Sequence, residues 1–184
     1  MSLQIWTKRS EETLHRNPWW LYKRDRVTLP SGAEGEYHYV QTPGSVMVIP
    51  VDAQGCFVLV RQYRYLNRRE SLEFPAGGIK AGQDADAAAR AELREEAGLE
   101  ASSLEKIGQF NPFNGVTDEL CTVYVATELR QGDASPDDTE EFEVQRLRGE
   151  ELVTATVSGA LWDGMTLAAW AMYQALEPGL GRQR

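Results

Sequence analysis

Glu73-Phe74-Pro75-Ala76-Gly77-Gly78-Ile79, running on to Ala88-Ala89-Arg90-Ala91-Glu92-Leu93-Arg94-Glu95-Glu96-Ala97-Gly98-Leu99, is the stretch on which the reading of the whole chain depends. An apolar strand end leads into a glycine loop, and the loop opens an alanine-rich helix expected from about Asp84 to Ala97. Gln83 or Asp84 at its start suits the positive end of the helix dipole, and Gly98 is placed to cap its end. Glu92, Glu95 and Glu96 fall at i, i+3 and i+4, so they leave one face of the helix. Like charges at those spacings cost a few tenths of a kcal/mol per pair in a bare helix. No basic residue stands three or four positions from Glu92 or Glu96 to relieve them. A divalent cation would relieve them, and carboxylate oxygens suit Mg²⁺ or Mn²⁺. A solvated acidic face is the plainer alternative. The glycine loop in front and Gly98 behind favour the metal site. Leu93 and the small alanines are expected to pack against a sheet, sending the glutamates to the opposite, open side.

At 184 residues the chain is the size of one domain, able to bury a core without disulfides or a structural zinc. Its 42% hydrophobic and 26% charged residues are ordinary for a globular protein. No apolar run reaches the roughly 18 residues needed to span a membrane, and the start resembles no signal peptide. Cys56 and Cys121 sit in apolar strand-like runs, so reduced buried thiols in the cytoplasm are expected. The net charge of −9 argues against a nucleic-acid partner. An acidic protein acting on a phosphate substrate needs metals and local arginines, and the sequence offers both.

Outward from the central stretch the pattern is strand-rich. Residues 1–17 suggest an irregular arm or a short helix. Trp19–Leu29 and Gly35–Gln41 read as a hairpin around Pro30-Ser31-Gly32. Ser45–Val51 and Cys56–Tyr63 read as a second hairpin around Asp52-Ala53-Gln54-Gly55. Arg61, Arg64, Arg68 and Arg69 follow, either as a solvated basic loop or as a group from which one or two grip a diphosphate through bidentate hydrogen bonds. Leu72–Pro75 feeds the glycine loop. Leu104–Phe110 and Leu120–Leu129 are further strands, joined by a loop in which Asn114-Gly115 makes a tight turn. Gln131–Thr139 is a polar loop suited to a lid, ending in Glu140-Glu141 before a strand at Phe142–Leu147. Helices are expected at Glu150–Val157 and Leu161–Leu176. This alternation predicts an α/β fold with a mixed sheet.

The central stretch resembles the Nudix box, a pattern of Gly, then Glu, then Arg-Glu-apolar, then Glu-Glu and a closing Gly-apolar. Gly77, Glu92, Leu93, Glu95, Glu96, Gly98 and Leu99 match, whereas Gln83 stands at the first Glu and Ala91 at the Arg. The missing Glu and Arg read as a supporting ion pair lost as a unit, with Arg90 or Arg94 as substitutes. The apolar strand followed by Gln62-Tyr63-Arg64, and Gly115-Val116-Thr117-Asp118-Glu119 in the later loop, are similar to the ADP-ribose and nucleoside diphosphate sugar pyrophosphatases. Asn114, where ADP-ribose enzymes carry proline, fits a wider sugar nucleotide group.

The resemblance implies a Nudix α/β/α sandwich with mixed sheet over residues 44–184, and an N-terminal arm and antiparallel β hairpin, residues 1–43, used in dimerisation. It implies metal-dependent hydrolysis of a nucleoside diphosphate sugar to a nucleoside monophosphate and a sugar phosphate. Ala76, Glu92, Glu95 and Glu96 would hold Mg²⁺ or Mn²⁺. Glu140 would act on the attacking water, with Glu141 or Asp138 as the alternative, and Glu95 would assist. Arg64 would neutralise the diphosphate, and Glu73 and Asn114 would contact substrate. Trp19, Trp20 or Tyr37 would stack on the base, and a homodimer partner would complete the pocket. Two other readings stay open: a coenzyme A or dinucleoside polyphosphate pyrophosphatase, and a non-catalytic nucleotide-sugar-binding module.

Overall fold

The computed structural model describes residues 3–132 and 141–176. Glu140 and Asp138, the favoured carboxylates of the polar loop, lie outside the described residues. The chain divides into two compact units. One joins the residues up to Gly44 with Asn111–Leu120, and the other joins Ser45–Phe110 with the chain from Cys121 onward.

The first unit is a three-stranded antiparallel sheet of β1 (Thr7–Arg16), β2 (Leu21–Thr28) and β3 (Glu34–Gln41), in that order. The expected hairpin of β2 and β3 is present. The arm or short helix expected for residues 1–17 is instead the strand β1, and the reason is charge. All ten residues of β1 are exposed, so no apolar alternation marks it. It is stitched to β2 by ion pairs: Arg24 Nη2 to Glu12 Oε2 at 2.5 Å, Lys8 Nζ to Asp25 Oδ2 at 2.9 Å, and Lys23 to Glu11. The 111–120 loop joins this unit through Val40 N–H to Val116 O (2.8 Å) and Asp118 N–H to Val40 O (3.2 Å).

The second unit runs β4 (Ser45–Pro50), β5 (Phe57–Arg64), β6 (Arg69–Glu73), β7 (Ala76–Gly78), α1 (Ala85–Ala97), β8 (Leu99–Phe110), β9 (Cys121–Gln131), β10 (Glu143–Leu147), α2 (Gly149–Ser158) and α3 (Gly164–Leu176). Its strands form two sheets, β10-β5-β6 and β7-β4-β9-β8. The second sheet is mixed, because β4 runs parallel to β9 and antiparallel to β7. The Ser45–Val51 and Cys56–Tyr63 hairpin is therefore corrected. Asp52 does close the turn, accepting from Gln54 N–H and Cys56 N–H at 2.9 and 2.8 Å. Yet the strands part into different sheets and share only the Val51–Phe57 bridge.

Alternation along β4 and β5 explains that parting. Val46, Val48, Val58 and Val60 pack with Ala88, Ala89, Leu93 and Ala97 of α1. Met47, Ile49, Phe57 and Leu59 pack with Leu152, Leu161, Ala169 and Trp170 of the α2–α3 side. Strands apolar on both faces belong between helical layers. Each fully buried Leu or Val there contributes about 1.5–3 kcal/mol. The glycine loop also differs from expectation: Ala76–Gly78 is a short strand, its register on β4 running Ser45 to Gly78 through Met47 to Ala76.

Candidate functional site

Helix α1 brings the box carboxylates to β7. Asp84 caps its start, its side chain accepting from Ala87 N–H at 2.7 Å. Gly98 ends it in the left-handed region at φ 64°, its N–H bonding back to Arg94 O. Ala88, Ala89 and Leu93 are buried as expected, but Glu96 is buried with them. The expectation that all three glutamates face open solvent is corrected at that position. The burial is compensated locally: Ala76 N–H donates to Glu96 Oε2 at 3.0 Å, as a buried carboxylate requires.

Glu92 lies over Gly77. A Cβ added to that glycine would fall inside 3.0 Å of the Glu92 carboxyl carbon and both its oxygens. Glycine leaves the Glu92 carboxylate free to approach the strand this closely, whatever its own backbone angles. Glu95 is partly exposed and lies 3.7 Å from the Arg94 guanidinium. Arg90 turns elsewhere and donates to Ala101 O at 2.8 Å. Gln83, in place of the pattern's first Glu, accepts from Lys80 N–H at 3.1 Å and shapes the turn before α1.

Arg64 reaches the same region from β5. Val58 and Val60 face α1, so Gln62 and Arg64, continuing the alternation, share that side. Arg64 Nε–H donates to Glu73 Oε1 at 2.8 Å, Nη2 donates to Oε2, and Gln62 Nε2 donates to Oε2 at 3.3 Å. Glu73 is buried and Arg64 is half-exposed, so a fixed carboxylate aims a guanidinium whose outer edge is open. The Arg64 pKa is raised, first by the Glu73 hydrogen bonds, with the charges of Glu73, Asp163 and Glu96 adding against burial.

The other arginines of the cluster have structural partners. Arg61 points to the opposite side of the sheet and pairs with Glu70 at 3.0 Å and with Glu143. Arg69 lies 3.7 Å over the Trp162 ring, whose Nε1–H donates to Glu70 O. Glu141 is exposed and lines a cavity of about 280 Å³ with Arg61, Gln62 and Tyr63.

In the N-terminal unit, Asn114 is exposed at its tight turn, closed by Val116 N–H to Phe113 O at 2.9 Å. Tyr37 O–H donates to Gly115 O at 3.2 Å, which sets Tyr37 beside that turn. Trp19 is three-quarters exposed and lines a separate cavity of about 310 Å³ with Trp20, Asn17 and Gln41.

Among the described residues, no three carboxylate, imidazole or thiolate groups are gathered closely enough to cage a cation. Two carboxylates beside a strand backbone nevertheless suit Mg²⁺, which keeps several waters and completes its shell with substrate phosphates. The donors are hard oxygens, and the glycine cradle leaves them room. The sequence marked Gln62 only as part of the segment carrying Arg64 and gave no sign of Asp163 or Thr166.

Comparisons with known proteins agree with this geometry. The NUDIX domain model matches residues 41–162, and the nucleoside diphosphate sugar hydrolase N-terminal domain model matches residues 6–40. The chain is 32% identical to the ADP-ribose pyrophosphatase of Bacillus subtilis over 89% of each chain. It is 37% identical to the ADP-ribose pyrophosphatase of Mycobacterium tuberculosis over 66% of this chain and 59% of that one. A solved structure of an ADP compounds hydrolase superposes over both whole chains with a TM-score of 0.85 at 22% identity, a likeness of fold. The chain belongs to the NUDIX domain family.

Proposed function

We propose that the chain hydrolyses the diphosphate bond of a nucleoside diphosphate sugar of the ADP-ribose or GDP-mannose type, giving a nucleoside monophosphate and a sugar phosphate. One observation carries this reading. Arg64, braced by Glu73, lies in the electrostatic surroundings of Glu96, whose carboxylate is bonded to Ala76 three residues beyond Glu73. A fixed cation for a diphosphate and oxygen donors for Mg²⁺ thereby come together. The names of the relatives and the N-terminal domain match favour sugar nucleotides over coenzyme A or dinucleoside polyphosphates.

Glu92, Glu96 and the Ala76 carbonyl would hold Mg²⁺ or Mn²⁺, with Glu95 assisting. When bound, the cation would polarise phosphoryl oxygens and lower the pKa of a bound water. Arg64 offers the fork of its guanidinium to the diphosphate. Water adds to one phosphorus, the bridging P–O bond breaks, and the bridging oxygen leaves on the other phosphate. Glu140 is assigned the water's proton, with Glu141 the alternative. Trp19, Tyr37 and Asn114 are assigned to the base and sugar.

We infer a cytoplasmic homodimer, a reading supported by Cys56 and Cys121, which form no disulfide, and by β1. No described helix is long and apolar enough to cross a membrane. An exposed edge strand flanked by exposed Ile5 and Trp6 is a template for pairing. Sedimentation showing only monomer at micromolar concentration would overturn the dimer.

The reaction is tested by phosphate release, through a coupled phosphatase, from ADP-ribose, GDP-mannose, coenzyme A and dinucleoside polyphosphates with Mg²⁺. Turnover of sugar nucleotides is expected, lost with chelator and restored by Mg²⁺. Glu96→Gln should lower kcat by about 100-fold, since several kcal/mol of charge stabilisation are at stake. Binding without any turnover would favour the non-catalytic module instead.

A further inference from the structure

Between β6 and β7 the chain crosses from one sheet to the other at Phe74-Pro75, where neither ladder supplies hydrogen bonds. The crossing is pinned residue by residue. Glu73 holds Arg64, Pro75 O accepts from Val48 N–H at 2.8 Å, and Ala76 N–H meets Glu96. The remaining peptide group, Phe74 N–H, donates to Thr166 Oγ1 at 3.2 Å. Thr166 is fully buried, and Phe74, whose N–H it accepts, is buried in the core cluster with Met47, Leu59, Leu161 and Trp170. A hydroxyl in such surroundings is unfavourable unless it is hydrogen-bonded, and valine would fill the same volume without that requirement. Thr166 is itself held, because its N–H donates at 2.7 Å to Asp163 Oδ2, ahead of the first residue of α3.

We propose that Thr166 is a positioning residue for the arginine that grips the diphosphate. Its hydroxyl fixes the Phe74 peptide, and that peptide fixes the adjoining Glu73 carboxylate to which Arg64 is forked. α3 contributes to the site through one hydrogen bond, although no α3 side chain was expected there. The inference rests on the hydrolysis proposed above for its kinetic readout.

The test compares Thr166→Val, Thr166→Ala and Thr166→Ser, each alone and with Arg64→Lys. Thr166→Val should lower kcat/KM on the turned-over sugar nucleotide by about 10- to 100-fold, the scale of an ångström's misplacement. Thr166→Ser, which keeps the acceptor, should stay within about twofold of the parent. With Arg64→Lys already present, adding Thr166→Val should change kcat/KM by no more than about twofold, because the guanidinium it orients is gone. Equal losses in both backgrounds would show a role in packing alone and overturn the proposal. A second readout needs no substrate. The Arg64 Nε–H resonance, slowed in exchange by Glu73, should be lost in Thr166→Val and Thr166→Ala and kept in Thr166→Ser. An unchanged resonance in all three would overturn the proposal even for a protein that hydrolyses nothing, whereas absence of turnover in the parent would sink only the reaction.

Discussion

The Glu92 carboxylate occupies the space that a side chain on Gly77 would need. The two residues are linked by helix and turn, and only the missing Cβ lets α1 set its carboxylate against β7. Gly77→Ala should push Glu92 aside at little cost in stability, because the displaced atoms are the end of a flexible side chain. The loss should appear in activity, with kcat/KM falling by about 10- to 100-fold while the melting temperature moves little. A Gly77→Ala enzyme with parental kinetics would remove Glu92 from the reaction.

Arg64 and Glu73 give a prediction in stability. Removing the guanidinium leaves Glu73 buried with Gln62 at 3.3 Å among the described residues. Loss of one partner of a buried pair costs about 3–5 kcal/mol, and the half-exposure of Arg64 places Arg64→Ala near the lower end. Arg64→Lys should be milder, keeping the charge but not the fork. Urea denaturation of the three proteins measures both. A cost for Arg64→Ala below about 1 kcal/mol would mean that water already neutralises Glu73.

The N-terminal sheet should respond to acid. The Lys23 and Lys8 ammonium groups draw the exposed Glu11 carboxyl down from its ordinary 4.5 to about 2. A carboxylate whose folded pKa is depressed stabilises the fold above its unfolded pKa and loses that contribution as pH falls through the folded value. The contribution is therefore whole above pH 4.5 and disappears towards pH 2. Glu11→Gln should lower the urea midpoint at pH 6 and make no difference at pH 2. An equal effect at both pH values would mean that the ion pairs do not stabilise the sheet.

Gly98 should resist substitution for conformational reasons. Its φ of 64° is left-handed, and Gly98→Ala should cost about 1–2 kcal/mol. Thermal denaturation measures this directly, and a neutral substitution would mean that α1 can end another way.

The helix α1 was legible because its signals are local: Asp84 before it, Gly98 after it, and alanines and Leu93 at helical spacing within it. The family resemblance was legible for the same reason, since the box lies within one loop and one helix. The strand β1 was not legible. Its residues are exposed throughout with no apolar alternation, and the ion pairs that tie it to β2 join Glu12 to Arg24, Lys8 to Asp25 and Glu11 to Lys23. The parting of β4 and β5 was hidden too, because Asp52 makes a good turn whether or not the flanking strands pair.

Residue types and spacing pointed to the α/β class and to the three glutamates on one helix face, and the resemblance to sugar nucleotide pyrophosphatases singled out Arg64 among four nearby arginines. Tertiary structure decided that Glu96 is buried against Ala76, that Glu73 is the brace of Arg64, that Arg61 and Arg69 have other partners, and that Thr166 supports the sheet crossing. These are side chain and backbone contacts across long separations in sequence. A hydrogen bond between residues 74 and 166 leaves no period in the sequence, because it depends on how α3 lies against the segment between β6 and β7 and not on any neighbour along the chain.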